Sequence, residues 1–197
     1  MTFSDFTLES VETSFGLTTR SADLFPGCAS IPTPSWLTDI IARGRAVAVP
    51  VSEKARSEFI VSPILLACRE LFVGELAIFS GQRLDVDAAA GLSGECDYIL
   101  ALTNPVPRLK APLVVILEAE RGELEAGLGQ CVAQMLAAQK FNEKAGKPLD
   151  AIFGAVTTGE AWQFLRLAGT EVTLHDRRLF IDDLPAILAA LRACLPR

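Results

Sequence analysis

Residues 112–134 read PLVVILEAERGELEAGLGQCVAQ, and the fold turns on them. The run from Leu113 to Leu117 is short, apolar and rich in β-branched residues, which suits a strand covered on both faces. Alternation along a strand sends Glu118 and Glu120 out of one face, and Ala119 and Arg121 out of the other. Two acids at the end of an apolar strand are costly unless a cation or a proton sits between them. Gly122 then breaks the chain, and from about Glu123 the spacing becomes helical. Leu124, Leu128, Cys131, Val132, Met135 and Leu136 fall on one stripe, while Gln130 and Gln134, four residues apart, share another face. Gly127 and Gly129 are poor helix formers, so something is expected to approach the backbone there, most simply the neighbouring strand.

Upstream, residues 74–103 alternate as strands separated by turns, and Asp97 stands at the entrance of the apolar run Tyr98 to Leu102. A turn cap or a pairing with Arg83 is the plain explanation of that acid. Before it, Ser52 opens a helix carrying Phe59, Ile60, Ile64, Leu65, Cys68 and Leu71 at helical spacing. Pro63 is expected to kink or restart that helix. Glu58 falls beside its apolar stripe, where an ordinary solvated glutamate would also sit. Residues 3–17 read as a short strand or hairpin, the stretch from Phe25 to Pro34 as a loop, and Trp36 to Arg43 as an amphipathic helix. Downstream come a strand from Ala151 to Val156, a turn at Thr157-Thr158-Gly159, and a meander through WQFLRL and EVTLHD. A last helix begins near Asp183, with Pro185 in its first turn.

At 197 residues the chain has the size of one domain. The expected plan is an N-terminal flank at 1–50, a core at 51–167, and a C-terminal strand and helix at 168–197. The class is α/β, with a central mixed sheet and helices on both faces. Half the residues are hydrophobic and 21% are charged, the balance of a globular protein. A net charge of −6 repels a phosphate backbone at long range, so nucleic-acid binding would need a local basic patch. Five cysteines without ligand spacing, and His175 as the one histidine, exclude cysteine/histidine metal sites and histidine-based catalysis. Phosphate loops of the GxGxxG or GxxxxGK type are lacking. No signal peptide or membrane-length apolar run is evident, which makes reducing cytoplasm the expected compartment and a membrane partner unexpected. A homodimer is left open.

A helix with Glu58, a strand with Asp97, a strand ending Glu118-Ala119-Glu120 and a helix with Gln130 and Gln134 follow in that order. With KARSEFIVSPIL, the GLGQC helix and the TTG-xxW-xF hairpin, this resembles the PD-(D/E)xK nuclease-like superfamily of restriction-endonuclease-like fold, in an uncharacterised bacterial branch, over residues 50–167. The resemblance implies a magnesium- or manganese-dependent hydrolase of phosphodiester bonds acting on nucleic acid. It also implies that Asp97 and Glu118 hold the metal, that Glu58 holds the metal or its water, and that Gln130 and Gln134 position water or the nucleic-acid backbone. Glu120 departs from the pattern, because it occupies the place of the motif lysine and opposes negative charge on phosphorus. Arg121 reaching around, or a lysine such as Lys140 or Lys110 brought in from elsewhere, would compensate. Otherwise the fold is a catalytically silent metal- or partner-binding module. A sugar hydrolase using Glu118 and Glu120 is disfavoured because i, i+2 carboxylates sit on one side of a bound ring. Cys131 is a poor nucleophile on an apolar stripe.

Overall fold

The computed structural model describes residues 1–49, 51–120 and 122–196. One mixed sheet runs through it in the order β1-β7-β6-β5-β4-β3-β2, with β8 added beside β6. Its strands are β1 (Thr18–Ala22), β2 (Ala77–Arg83), β3 (Glu95–Ala101), β4 (Leu113–Ala119), β5 (Ile152–Thr157), β6 (Ala161–Ala168), β7 (Glu171–His175) and β8 (Leu179–Phe180). The chain is thus α/β, with a central mixed sheet flanked by helices.

β2, β3 and β4 form an antiparallel meander, whereas β4 and β5 are parallel. A parallel pair needs a crossover, and helix α5 (Leu124–Lys144) supplies it. Every residue of β4 is buried, as its unbroken apolar run requires. On one side the strands pack against the stripe of α5 through Ile116, Cys131, Val132, Met135 and Val156. On the other they meet α2 (Ser35–Ala48), α4 (Ser62–Leu71) and α6 (Leu184–Ala193) through Leu37, Ile64, Leu117, Phe164 and Leu188. Among the described residues, no helix is long and apolar enough to cross a membrane.

Two polar ties hold α5 in register on β4. Asn142, fully buried, donates from Nδ2 to the Leu113 carbonyl and accepts the Leu113 N–H at Oδ1, both at 2.8 Å. Nearer the other end of the helix, Gln130 donates to Glu118. Twelve residues of helix rise about 18 Å and five of strand about 17 Å, so the two ties match in span.

The expected strand or hairpin over residues 3–17 is instead helical. A 3-10 turn (Phe3–Asp5) leads into α1 (Leu8–Phe15). Thr7 and Ser10 exchange side-chain and backbone bonds at the start of α1, and Gly16, at φ +63°, ends it in the left-handed region. These end signals outweigh the apolar spacing. Close approach at Gly129 comes from this same segment and not from a strand, since a Cβ there would lie 2.3–2.6 Å from Phe6 and Thr7 backbone atoms. Helix α2 runs past the expected Arg43 to Ala48.

The helix opened by Ser52 begins as α3 (Glu53–Arg56), with the Ser52 hydroxyl accepting the Ala55 N–H. It widens to a π-turn over Ser57–Val61, where the Ser62 N–H reaches back to the Ser57 carbonyl, and continues as α4. Pro63 explains the disturbance, because it has no N–H to offer the Phe59 carbonyl one turn earlier. That carbonyl faces Gly44 of α2, where a Cβ would come within 2.3 Å of its oxygen.

Candidate active site

The ladder between β3 and β4 ends at the Tyr98–Leu117 pair. Side chains take over one step further along. The Asp97 N–H donates to Glu118 Oε1 at 3.4 Å, and the Ala119 N–H donates to Asp97 Oδ2 at 2.7 Å. Asp97 and Glu118 are therefore neighbours across the two strands, each bonded to the other's backbone segment. Glu118 keeps only 3% of its surface exposed, and Gln130 donates to its Oε2.

An acid so buried is rarely left ionised alone. Burial pushes the Glu118 carboxyl well above the usual carboxylate range and nearby Asp97 adds to this, while the Gln134 amide and the Asp97 N–H oppose it. Burial also raises Asp97, against bonds from the Ala119 N–H and the Glu118 carboxyl. Two adjacent carboxyls that both resist ionisation form a place for one shared proton or one cation.

Glu120 lies just past the end of β4, where its N–H donates to the Thr157 carbonyl at 2.7 Å. Its carboxyl packs over Gly127 of α5, so close that a Cβ there would meet Oε1 at 2.6 Å. Burial raises Glu120 too, followed by the charges of Glu53 and Asp97. Gln134 is fully buried, and its Nε2 donates to the Glu95 carbonyl at 3.4 Å while its Oε1 has no donor among the described residues.

Beside Asp97 opens a cleft of about 230 Å³, walled by Glu53, Lys54, Ser57, Glu58, Glu95 and Tyr98 among others. The Tyr98 hydroxyl donates to the Ser57 carbonyl at 2.7 Å, which leaves Ser62 Oγ to donate to it across 2.8 Å. The π-turn is thereby fastened to β3, and Glu58 is carried to the cleft rim.

The expected trio of metal-holding carboxylates is only partly brought together. Glu58, Asp97 and Glu118 are not within 4.8 Å of one another as a group. Glu58 is half-exposed, with Lys54 Nζ 3.7 Å from its Oε1. Asp97 does not pair with Arg83, which binds Asp85 instead. Lys140 lies ten residues along α5 from Gln130, about 15 Å, so it does not supply the missing cation. Lys110 precedes the far end of β4, about 17 Å of strand from Glu118. Arg121 lies outside the described residues.

Glu53, Lys54 and Glu95 were missed in the sequence. Glu53 and Lys54 had a local signal, since Glu58 lies five and four residues after them on one helix. A second cluster, Asp23, His175 and Asp176, brings its ligand atoms within 4.8 Å of one another. It has internal partners already: His175 Nδ1 accepts the Leu24 N–H at 3.1 Å, and Arg177 reaches both Asp23 and Asp176.

No family model matches the chain, and no curated protein matches it.

Proposed function

We propose that this chain is a divalent-metal-dependent phosphodiesterase of the PD-(D/E)xK type, with the metal held by Asp97 and Glu118. The observation that carries this is the pairing of the two carboxylates across the end of β3 and β4, both resisting ionisation because of burial. The donor set fits a hard cation, since every candidate ligand is oxygen, and Gln134 Oε1 adds a buried oxygen that lacks a donor among the described residues. Magnesium or manganese in that place supplies polarisation of a phosphoryl oxygen and a water of lowered pKa.

The chain's own contributions are positional. Gln130 holds one oxygen of Glu118, and the Ala119 N–H holds one of Asp97, so neither carboxylate has to be ordered on binding. Glu58 borders the same cleft as Asp97 and acts on the outer sphere of the site. The order of these residues along helix, meander and crossover helix agrees with the superfamily resemblance, which supports nucleic acid as the substrate.

One feature favours a second reading, a catalytically silent protein that binds a metal or a basic partner on the same fold. The cleft wall carries Glu53, Glu58, Glu95 and Asp97 against Lys54, and Glu120 stands where a lysine would favour phosphate. The deciding experiment compares wild type, Glu118→Ala and Glu120→Lys on single- and double-stranded DNA and RNA with magnesium or manganese. Cleavage by wild type that is lost in Glu118→Ala supports the phosphodiesterase. Cleavage only in Glu120→Lys supports the silent reading, and none in any variant removes the phosphodiesterase.

A further inference from the structure

A phosphodiester approaching Asp97 meets a wall of carboxylates, so the first physical question is where its negative charge is met. Metal at Asp97 and Glu118 offsets the charge of those two acids but leaves Glu58 and Glu95 facing the same cleft. Among the described residues, Lys54 is the one cation in the cleft wall. Arg56, the next candidate on that helix, turns its guanidinium to the carbonyls of Val49 and Thr158.

We propose that Lys54 is the phosphate-contacting cation of this cleft, doing from α3 what the motif lysine does from the strand position that Glu120 occupies. This rests on the phosphodiesterase reading and adds to it the residue that receives the substrate's charge. Three observations carry it. Lys54 borders the same cleft as Asp97. Its side chain is 85% exposed on a flexible four-carbon stem, free to follow a phosphate. Its ion-pair partner Glu58 holds it loosely: the separation is 3.7 Å, the pair is exposed, and a lysine four residues before a glutamate is the weaker order for a helical ion pair.

Glu58 changes meaning accordingly. Carried to the rim by the π-turn, it is a weak partner that a phosphate can displace from the ammonium.

The test measures binding apart from cleavage, using phosphorothioate single- and double-stranded oligonucleotides in calcium, with affinity followed against salt. Lys54→Met is expected to weaken binding roughly fivefold and to reduce the salt slope by about 0.9 on duplex or about 0.7 on single strands. Lys54→Arg keeps the slope. Lys110→Met, on the connection before β4, leaves both affinity and slope unchanged. An unchanged slope in Lys54→Met overturns the proposal, as does an equal loss in Lys110→Met or failure of the wild type to bind either strand form. Slope loss in Lys54→Met together with a wild type that binds but never cleaves would uphold Lys54 while rejecting the phosphodiesterase.

Discussion

Asp97 and Glu118 continue the β3–β4 pairing by exchanging side chains for backbone. Glu118 Oε1 accepts the Asp97 N–H, and Asp97 Oδ2 accepts the N–H of Ala119, next to Glu118. The strands thus part at the point where both acids are fixed by main chain, and two carboxyls are kept together that would separate in water. That arrangement costs stability when both are charged, and it gives the metal-free protein a characteristic response to pH.

Both folded-state carboxyls sit above their ordinary range, so the folded protein holds protons more tightly than the unfolded chain. The stability they contribute is full below the unfolded carboxylate pKa of about 4–4.5 and is lost as pH rises through the raised folded values. The thermal midpoint of metal-free protein is therefore expected to fall as pH rises above the ordinary carboxylate range. Glu118→Gln, which cannot ionise, flattens the profile. Thermal melts at rising pH check this, and a flat wild-type profile contradicts it.

Gln130→Ala removes a tie to Glu118 without opening the core, since Gln130 is partly exposed. The expected loss of stability is about 1 kcal/mol, with a larger effect on metal affinity, about 10-fold or more. Asn142→Ala acts on the fold alone. It strands the Leu113 N–H and carbonyl in a buried place and should cost about 2–4 kcal/mol. Urea unfolding separates the two, and equal losses would contradict the distinction drawn between them.

The two glycines of α5 should respond differently to alanine. At Gly129 the added Cβ meets backbone of Phe6 and Thr7, which gives only if α1 and its leading turn shift, so a loss of about 3 kcal/mol or more is expected. At Gly127 it meets the carboxyl end of the partly exposed Glu120, which can swing away, and a methyl of buried Val156. Gly127→Ala should be milder in stability while displacing Glu120. Paired denaturant curves decide it, and a Gly127→Ala loss equal to that of Gly129→Ala would refute this ordering.

The parts of this molecule that could be read from sequence are those with repeated local signals. The buried run of β4 and the stripe of α5 are long enough for periodicity to fix both. Pro63 announced its disturbance of the helix, though nothing local said that it would take the form of a π-turn. Helix α1 was missed because its evidence lies in the Thr7–Ser10 bonds and in Gly16, and not in its few apolar residues. Within the site, the adjacency of Asp97 and Glu118 follows from strand pairing, whereas the distance between Glu58 and those two carboxyls depends on how the π-turn is seated against Tyr98. Pairing of β1 with β7, and of Asp23 with Arg177 beyond them, joins residues about 150 apart, for which sequence spacing carries no information.

The most direct measurement of the central claim is calorimetric titration of manganese into wild type and Asp97→Asn at about pH 7.5, in two buffers of different ionisation enthalpy. Wild type should bind, releasing whatever proton the Asp97–Glu118 pair still holds at that pH, and at 100 times the dissociation constant the metal should add about 2.7 kcal/mol of stability. Asp97→Asn should lose both the heat and the stabilisation. Failure of the wild type to bind, or equal binding by Asp97→Asn, would contradict the assignment of Asp97 and Glu118 as the metal site.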